Sequence, residues 1–210
     1  MKFLLLVFSF LTMTIFLSFS KTEKIETLKI GKQAPLRDYK MESTDEKQVS
    51  LESIKGKKGT LVIFSCNTCP FVIGGDSFQG WEKDYPAIAG WSKRVGVNPV
   101  LVNSNEAKRT KGDGMEDMKK RAESQNYTIP YLLDKGHALA DAFGAKTTPH
   151  VFLFDSNWKL VYEGSIDNTW NPSLDKREDY LKEALVALQS GSEIPTAKTA
   201  PKGCSIKRKS

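Results

Sequence analysis

The run TLVIF, residues 60–64, leads directly into SCNTCP, so a short β-branched and apolar stretch ends on two cysteines and a proline. No other segment constrains the fold as much. An unbroken apolar run behind a Lys/Gly turn reads as a strand buried on both faces, the pattern of a central strand in an α/β sheet. Pro70 suits the first turn of a helix, where its missing N–H costs nothing. Strand, loop and helix together place Cys66 and Cys69 at the carboxyl end of a sheet, where ligands bind in α/β folds. If the helix starts at Pro70, Cys69 is its N-cap, and unsatisfied N–H groups with the helix dipole favour a thiolate there. The two-residue spacer also lets the sulfurs form a strained, reducible disulfide that can exchange with a partner's and be resolved internally.

The flanking pattern fits the same class. NPVLVNSN (98–105) reads as a second buried strand running into a polar loop, GMEDMKKRAESQN (114–126) as an amphipathic helix, and IPYLLD (129–134) as a short extended piece. GHALADAFGA (136–145) is a short helix closed by glycine. HVFLFD and KLVYEGSI flank Ser156-Asn157 as a hairpin, and residues 173–191 carry Leu181, Ala184, Leu185 and Leu188 at helical spacing. Early strand–helix alternation followed by a hairpin and a closing helix predicts a three-layer α/β domain with parallel central strands and an antiparallel edge.

Residues 1–20 stand apart. After Lys2, an apolar stretch broken only by Ser and Thr ends in small residues at Ser18 and Ser20, the pattern of a secretory signal cut after Ser20. The alternative is an uncleaved anchor, which would be this chain's sole link to a membrane. Either form implies export, to a periplasmic or other extracytoplasmic place or into the medium. Outside the cytosol a close thiol pair tends to be oxidised, and three cysteines are too few for a disulfide-stapled scaffold. The 210 residues then divide into the signal or anchor (1–20), one domain (21–190) and a basic tail (191–210) rich in Pro, Lys and Ser, expected to be loosely held. The formal charge of +6 does not indicate nucleic acid: Lys2 and a tail of net +4 account for all but one unit of it. The domain has no basic stripe for a phosphate backbone.

CNTCP after LVIF, TTP ahead of HVFLFD, and the closing GCSIK make the chain resemble the thioredoxin-like, peroxiredoxin-related redoxins (AhpC/TSA-like) over roughly residues 30–207. The resemblance implies a thioredoxin-like fold with a central mixed sheet flanked by helices. It implies a thiol–disulfide oxidoreductase with Cys66 and Cys69 as catalytic residues, no organic cofactor and no metal. It also implies that Pro149 is cis and lies against the disulfide, while Thr148 offers backbone groups to an incoming polypeptide. Expected partners are protein dithiols or disulfides and an upstream electron donor or acceptor.

The departures are specific. Thioredoxins usually place Trp before the first cysteine, where this chain has Ser65, and they carry a buried acid in the preceding strand, which LVIF lacks. His150 and Asp167 are weak candidates for deprotonating the resolving thiol. Aligning Phe64 with the strand-end Phe of thioredoxins puts the attacking position on Cys69, whereas aligning the CxxC motifs puts it on Cys66, so the order stays open. A thiol-dependent peroxidase is an alternative, but the Pro and Thr or Ser of a peroxidatic site are replaced by Val62 and Cys66, or by Gly59 and Ile63. A third reading is a Cu(I) chaperone using Cys66, Cys69 and His150, since soft thiolates suit Cu(I). His137 reads as a solvated residue, and the four tryptophans as packing. Cys204 is either a free thiol on a flexible tail or one that folds back to exchange with the pair or bonds a partner.

Overall fold

The computed structural model describes residues 25–76 and 78–209; the expected secretory signal at 1–20 lies outside the described residues. In chain order the strands are β1 (Met41–Ser43), β2 (Gln48–Val49), β3 (Gly59–Ser65), β4 (Val97–Asn103), β5 (Tyr131–Leu133), β6 (Thr147–Thr148), β7 (His150–Asp155), β8 (Leu160–Gly164) and β9 (Cys204–Ser205). The helices are α1 (Pro70–Ile73), α2 (Tyr85–Arg94), α3 (Met115–Ser124), α4 (Ala138–Phe143) and α5 (Tyr180–Ser190). Seven strands form one mixed sheet in the order β2-β1-β5-β4-β3-β7-β8, with β3, β4 and β5 parallel and the rest antiparallel. This is the predicted layered α/β arrangement.

β3 is buried at every position because it is sandwiched between two cores. Leu61 and Ile63 face one, with α2, α3 and α5 supplying Ile88, Met118, Leu181 and Leu185. Val62 and Phe64 face the other, against Leu139 and Phe143 of α4. The period-two alternation of a strand assigns these neighbours, and each fully buried side chain of this size stabilises the fold by about 1.5–3 kcal/mol. Phe64, Phe143 and Phe152 meet edge-on, with centroids 5.2–5.7 Å apart.

Two expectations need correction. The last helix starts at Tyr180, not near Ser173. Asn168 captures the backbone of the preceding residues: its Nδ2 donates to the Lys176 carbonyl and its Oδ1 accepts from the Glu178 N–H. Groups held in this way are not free to start a helical ladder. The C-terminal tail, expected to be loosely held, instead runs back along the domain. β9 pairs antiparallel with β6, Ile206 is buried in the α4-side core, and the Ala107 N–H donates to the Lys207 carbonyl. Its backbone groups are paired at intervals from Ala197 to Lys207, which fastens a segment that has little apolar surface of its own. No described helix is long and apolar enough to cross a membrane.

Candidate active site

β3 ends at Ser65, and the next four residues form the cysteine loop at the carboxyl end of the sheet. Cys69 is the N-cap of α1 and Pro70 its first residue, as the sequence predicts. The helix is only four residues long, however, and Gly74 (φ 95°) ends it in a backbone region that suits glycine. Cys69 makes no side-chain cap bond. One turn carries little dipole, so its surroundings in the folded protein must account for the state of this thiol.

Those surroundings converge on Thr148. The Thr148-Pro149 peptide is cis, and β6 brings Thr148 between the sulfurs. Cys66 Sγ lies 3.1 Å from Thr148 Oγ1, and Cys69 Sγ lies 3.1 Å from the Thr148 carbonyl oxygen, to which its thiol form donates. From the other side, the backbone N–H of Cys204 donates to Cys69 Sγ at 3.4 Å. The expected set Cys66, Cys69, Thr148 and Pro149 is thus assembled in one place, with Cys204 added to it.

The two thiols of the pair are not equivalent. Cys69 is pulled down to about 5, first by the Cys66 thiol and then by the side chain and backbone N–H of Cys204 and by the Thr148 side chain, against the opposing effect of burial. Cys66 is pushed well up, chiefly by burial, then by its bond to Cys69 and by the charge of Asp113. One sulfur is held as a thiolate by donors and the other keeps its proton, the division that nucleophile and resolving thiol require.

Asp113 was not found by reading the sequence. Fully buried, it accepts from the Asn67 N–H and Thr68 Oγ1 at 2.7 Å, from Asn103 Nδ2 at 2.8 Å and from Asn105 Nδ2 at 3.0 Å. Arg109 braces the same loop through the Asn103 side chain and the carbonyls of Asn103, Asp113 and Asp134. The acid beside the cysteines therefore comes from the loop after β4, not from β3. Its only trace in the sequence was the polar NSN following an apolar run.

The other candidates lie elsewhere. His150 is buried with both ring nitrogens engaged: Nδ1 accepts the Lys146 N–H at 3.1 Å and Nε2 meets Glu163 Oε2 at 3.0 Å. Burial lowers its basicity, and Lys198 Nζ holds the other Glu163 oxygen at 2.7 Å. It bonds neither sulfur, which corrects its placement as a third copper ligand or a base. Among the described residues no group of three or more metal-ligating side chains is assembled. Asp167 is likewise occupied, accepting from Trp81 Nε1 at 2.8 Å and from Thr169. Beside α1, a cavity of about 220 Å³ lies among Pro70, Phe71, Gly75, Phe78, Trp170 and Lys202, with Lys202 Nζ 4.2 Å from the centre of the Trp170 ring.

Comparison with known proteins agrees with this fold. Thiol-disulfide oxidoreductase ResA of Bacillus cereus is 26% identical over 168 residues, covering 79% of this chain and 82% of its own length. The crystal structure of an uncharacterized conserved protein from Geobacillus kaustophilus has a TM-score of 0.76 at 34% identity, covering 86% of this chain and 93% of that one. A hypothetical protein from Sinorhizobium meliloti 1021 also has a TM-score of 0.76, at 27% identity, covering 88% of this chain and 97% of its own. The model of the AhpC/TSA family matches residues 30–163, a segment that holds Cys66, Cys69, Thr148 and Pro149 and ends before Cys204. Because that match spans more than half of the sequence, and the sheet and helices are those of a thioredoxin-like fold, this chain belongs to the AhpC/TSA family.

Proposed function

We propose that the protein is an exported thiol–disulfide oxidoreductase that exchanges disulfides with protein partners through Cys69 and Cys66. The observation that carries this reading is the placement of two neighbouring thiols against Thr148, Cys66 Sγ 3.1 Å from its Oγ1 and Cys69 Sγ 3.1 Å from its carbonyl oxygen, with the Cys204 N–H aimed at Cys69 Sγ. The Cys69 thiolate attacks one sulfur of a partner disulfide; that S–S bond breaks, and the other partner sulfur leaves with the electron pair and takes a proton. Cys66 then gives up its proton and attacks Cys69 Sγ, releasing the first partner sulfur as a thiol and leaving a Cys66–Cys69 disulfide. An upstream dithiol donor restores the pair. The same steps in reverse oxidise a partner dithiol. The printed name of the ResA relative supports the activity, and the apolar stretch at 1–20 supports export.

Insulin reduction with dithiothreitol as donor tests the reading. Cys69→Ser should bring turnover to background and Cys66→Ser should slow it, whereas an unchanged rate in Cys69→Ser overturns the assignment. Peroxide consumption by the dithiol form that outpaces disulfide reduction would make the protein a peroxidase. Three positions before the cysteine, where a peroxidatic site has Thr or Ser, Cys69 has Cys66 and Cys66 has the buried Ile63, and neither offers a hydroxyl for that chemistry.

A further inference from the structure

We infer that Cys204 is a third catalytic thiol, which resolves mixed disulfides on Cys69 by forming a Cys69–Cys204 bond. This inference rests on the proposed thiol–disulfide exchange and adds a residue that lies beyond the family-matched segment.

Placement is the first argument. The backbone N–H of Cys204 donates to Cys69 Sγ at 3.4 Å, so a second segment of the chain, besides the one that carries Cys66, brings a cysteine against the nucleophile. The placement of Cys204 is built, not incidental. Thr148 pairs with Cys204 across the β6–β9 ladder. Gly203 lies so close to Thr148 that a Cβ there would stand 2.3 Å from the Thr148 carbonyl oxygen. On the upstream side the Lys202 N–H donates to Ser165 Oγ at 3.0 Å; downstream, the Ile206 N–H donates to the Lys146 carbonyl at 3.0 Å and the Lys207 N–H to Asn105 Oδ1 at 2.9 Å. Buried Ile206 anchors the segment from below.

Exposure is the second argument. Cys66 and Cys69 are 1% and 3% exposed, whereas Cys204 is only half-buried. A partner sulfur reaches Cys69 when the residues around β9 lift, the kind of local opening that a two-residue ladder permits. Their return brings Cys204 back onto Cys69.

Timing is the third. While Cys69 is a thiolate, Cys204 is pushed up to about 11, by burial first and then by its hydrogen bond to Cys69 and the Cys69 charge. A mixed disulfide removes that charge and that acceptor, leaving burial opposed by the Phe71 backbone and then by the charge of Lys207. Cys204 therefore gains nucleophilicity only after Cys69 has been consumed. In the step itself Cys204 loses its proton to solvent, its sulfur bonds to Cys69 Sγ, the Cys69–partner bond breaks, and the partner sulfur leaves and is protonated. Two protein thiols are oxidised and one partner disulfide is reduced.

The test uses glutathione disulfide on the full chain, read by mass spectrometry of the acid-quenched protein and its unreduced peptides. In Cys66→Ser the glutathione adduct on Cys69 should be transient and give way to a Cys69–Cys204 cross-link. In Cys66→Ser/Cys204→Ser the adduct should persist. An adduct equally persistent in both variants overturns the inference and leaves the proposed function standing. Absence of any adduct in the double variant overturns the proposed function as well, since Cys69 then does not attack. Should a serine variant fail to fold, wild type equilibrated in glutathione buffer decides: a Cys69–Cys204 peptide supports the third thiol, and its absence rejects it.

Discussion

Two walls enclose the cysteine loop, and they are built on different principles. The wall from β4 and the following loop is a network of buried side chains in which Asp113 takes four hydrogen bonds and Arg109 reaches three backbone carbonyls. The opposite wall, the returning C-terminal segment, is held mainly by backbone groups and one buried isoleucine. The first fixes where the loop lies, since removing a partner orphans buried donors. The second sets what Cys69 is, since the Cys204 N–H donates to its sulfur and favours its thiolate. Geometry and reactivity of one pair are thus controlled from opposite sides.

The contrast is broken most severely at Asp113. Asp113→Ala removes four hydrogen bonds to a buried carboxylate, two of them from the buried amides of Asn103 and Asn105, and should cost about 3–5 kcal/mol, since a bond to a charged group contributes about 1.5–3 kcal/mol. Urea unfolding measures it, and a loss below about 1 kcal/mol would show that the wall is not structural. Ile206→Ala attacks the other wall and should cost about 2–4 kcal/mol. It should also raise the Cys69 pKa from about 5, because the donors from Cys204 loosen. Thiolate absorbance against pH reads this, and an unmoved titration midpoint would detach the tail from the chemistry.

Solution pH gives a subtler probe of the reduced protein. Cys69 is held down at about 5 in the folded protein against the ordinary thiol value of 9.0, so between these pH values the unfolded chain binds more protons and stability rises with pH. Cys66 and Cys204 shift the opposite way: above about 9 they keep protons that the unfolded chain releases, and stability falls again. The dithiol form should therefore be most stable near pH 9, and Cys69→Ser should lose the rising limb. If wild type and Cys69→Ser give parallel stability curves below pH 9, Cys69 is not the depressed thiol. The smallest effect belongs to Arg208, whose half-exposed pair with Asp141 lies at 2.7 Å. Arg208→Ala should cost under about 1 kcal/mol and leave the Cys69 midpoint where it is, since Ile206 and the β6–β9 ladder still hold Cys204; a shift comparable with that of Ile206→Ala would place the anchor in the ion pair.

Much of the sheet was legible because its signals are local. Leu61 to Phe64, Val100 to Val102 and Val151 to Phe154 are apolar runs, and such runs mark buried strands wherever they occur. The cysteine pair and Thr148-Pro149 were legible as motifs. Asp113 was not, because an aspartate in a Gly-rich loop ordinarily reads as a turn residue, and its partners at 67, 68, 103 and 105 come from separate segments. The tail was misread for a related reason: Pro, Lys and Ser signal looseness, whereas the backbone bonds that fasten it leave no mark on side-chain composition.

From the sequence alone follow the apolar strands β3, β4, β7 and β8, the Cys66–Cys69 spacing and the proline before β7, since each depends on neighbouring residues and on backbone rules that act locally. Which sulfur is ionised, where its acid neighbour comes from, and that Cys204 joins the site were decided only by the fold. Proton affinity in a buried site depends on donors and charges within a few ångströms, and here those groups are brought from positions up to 135 residues apart.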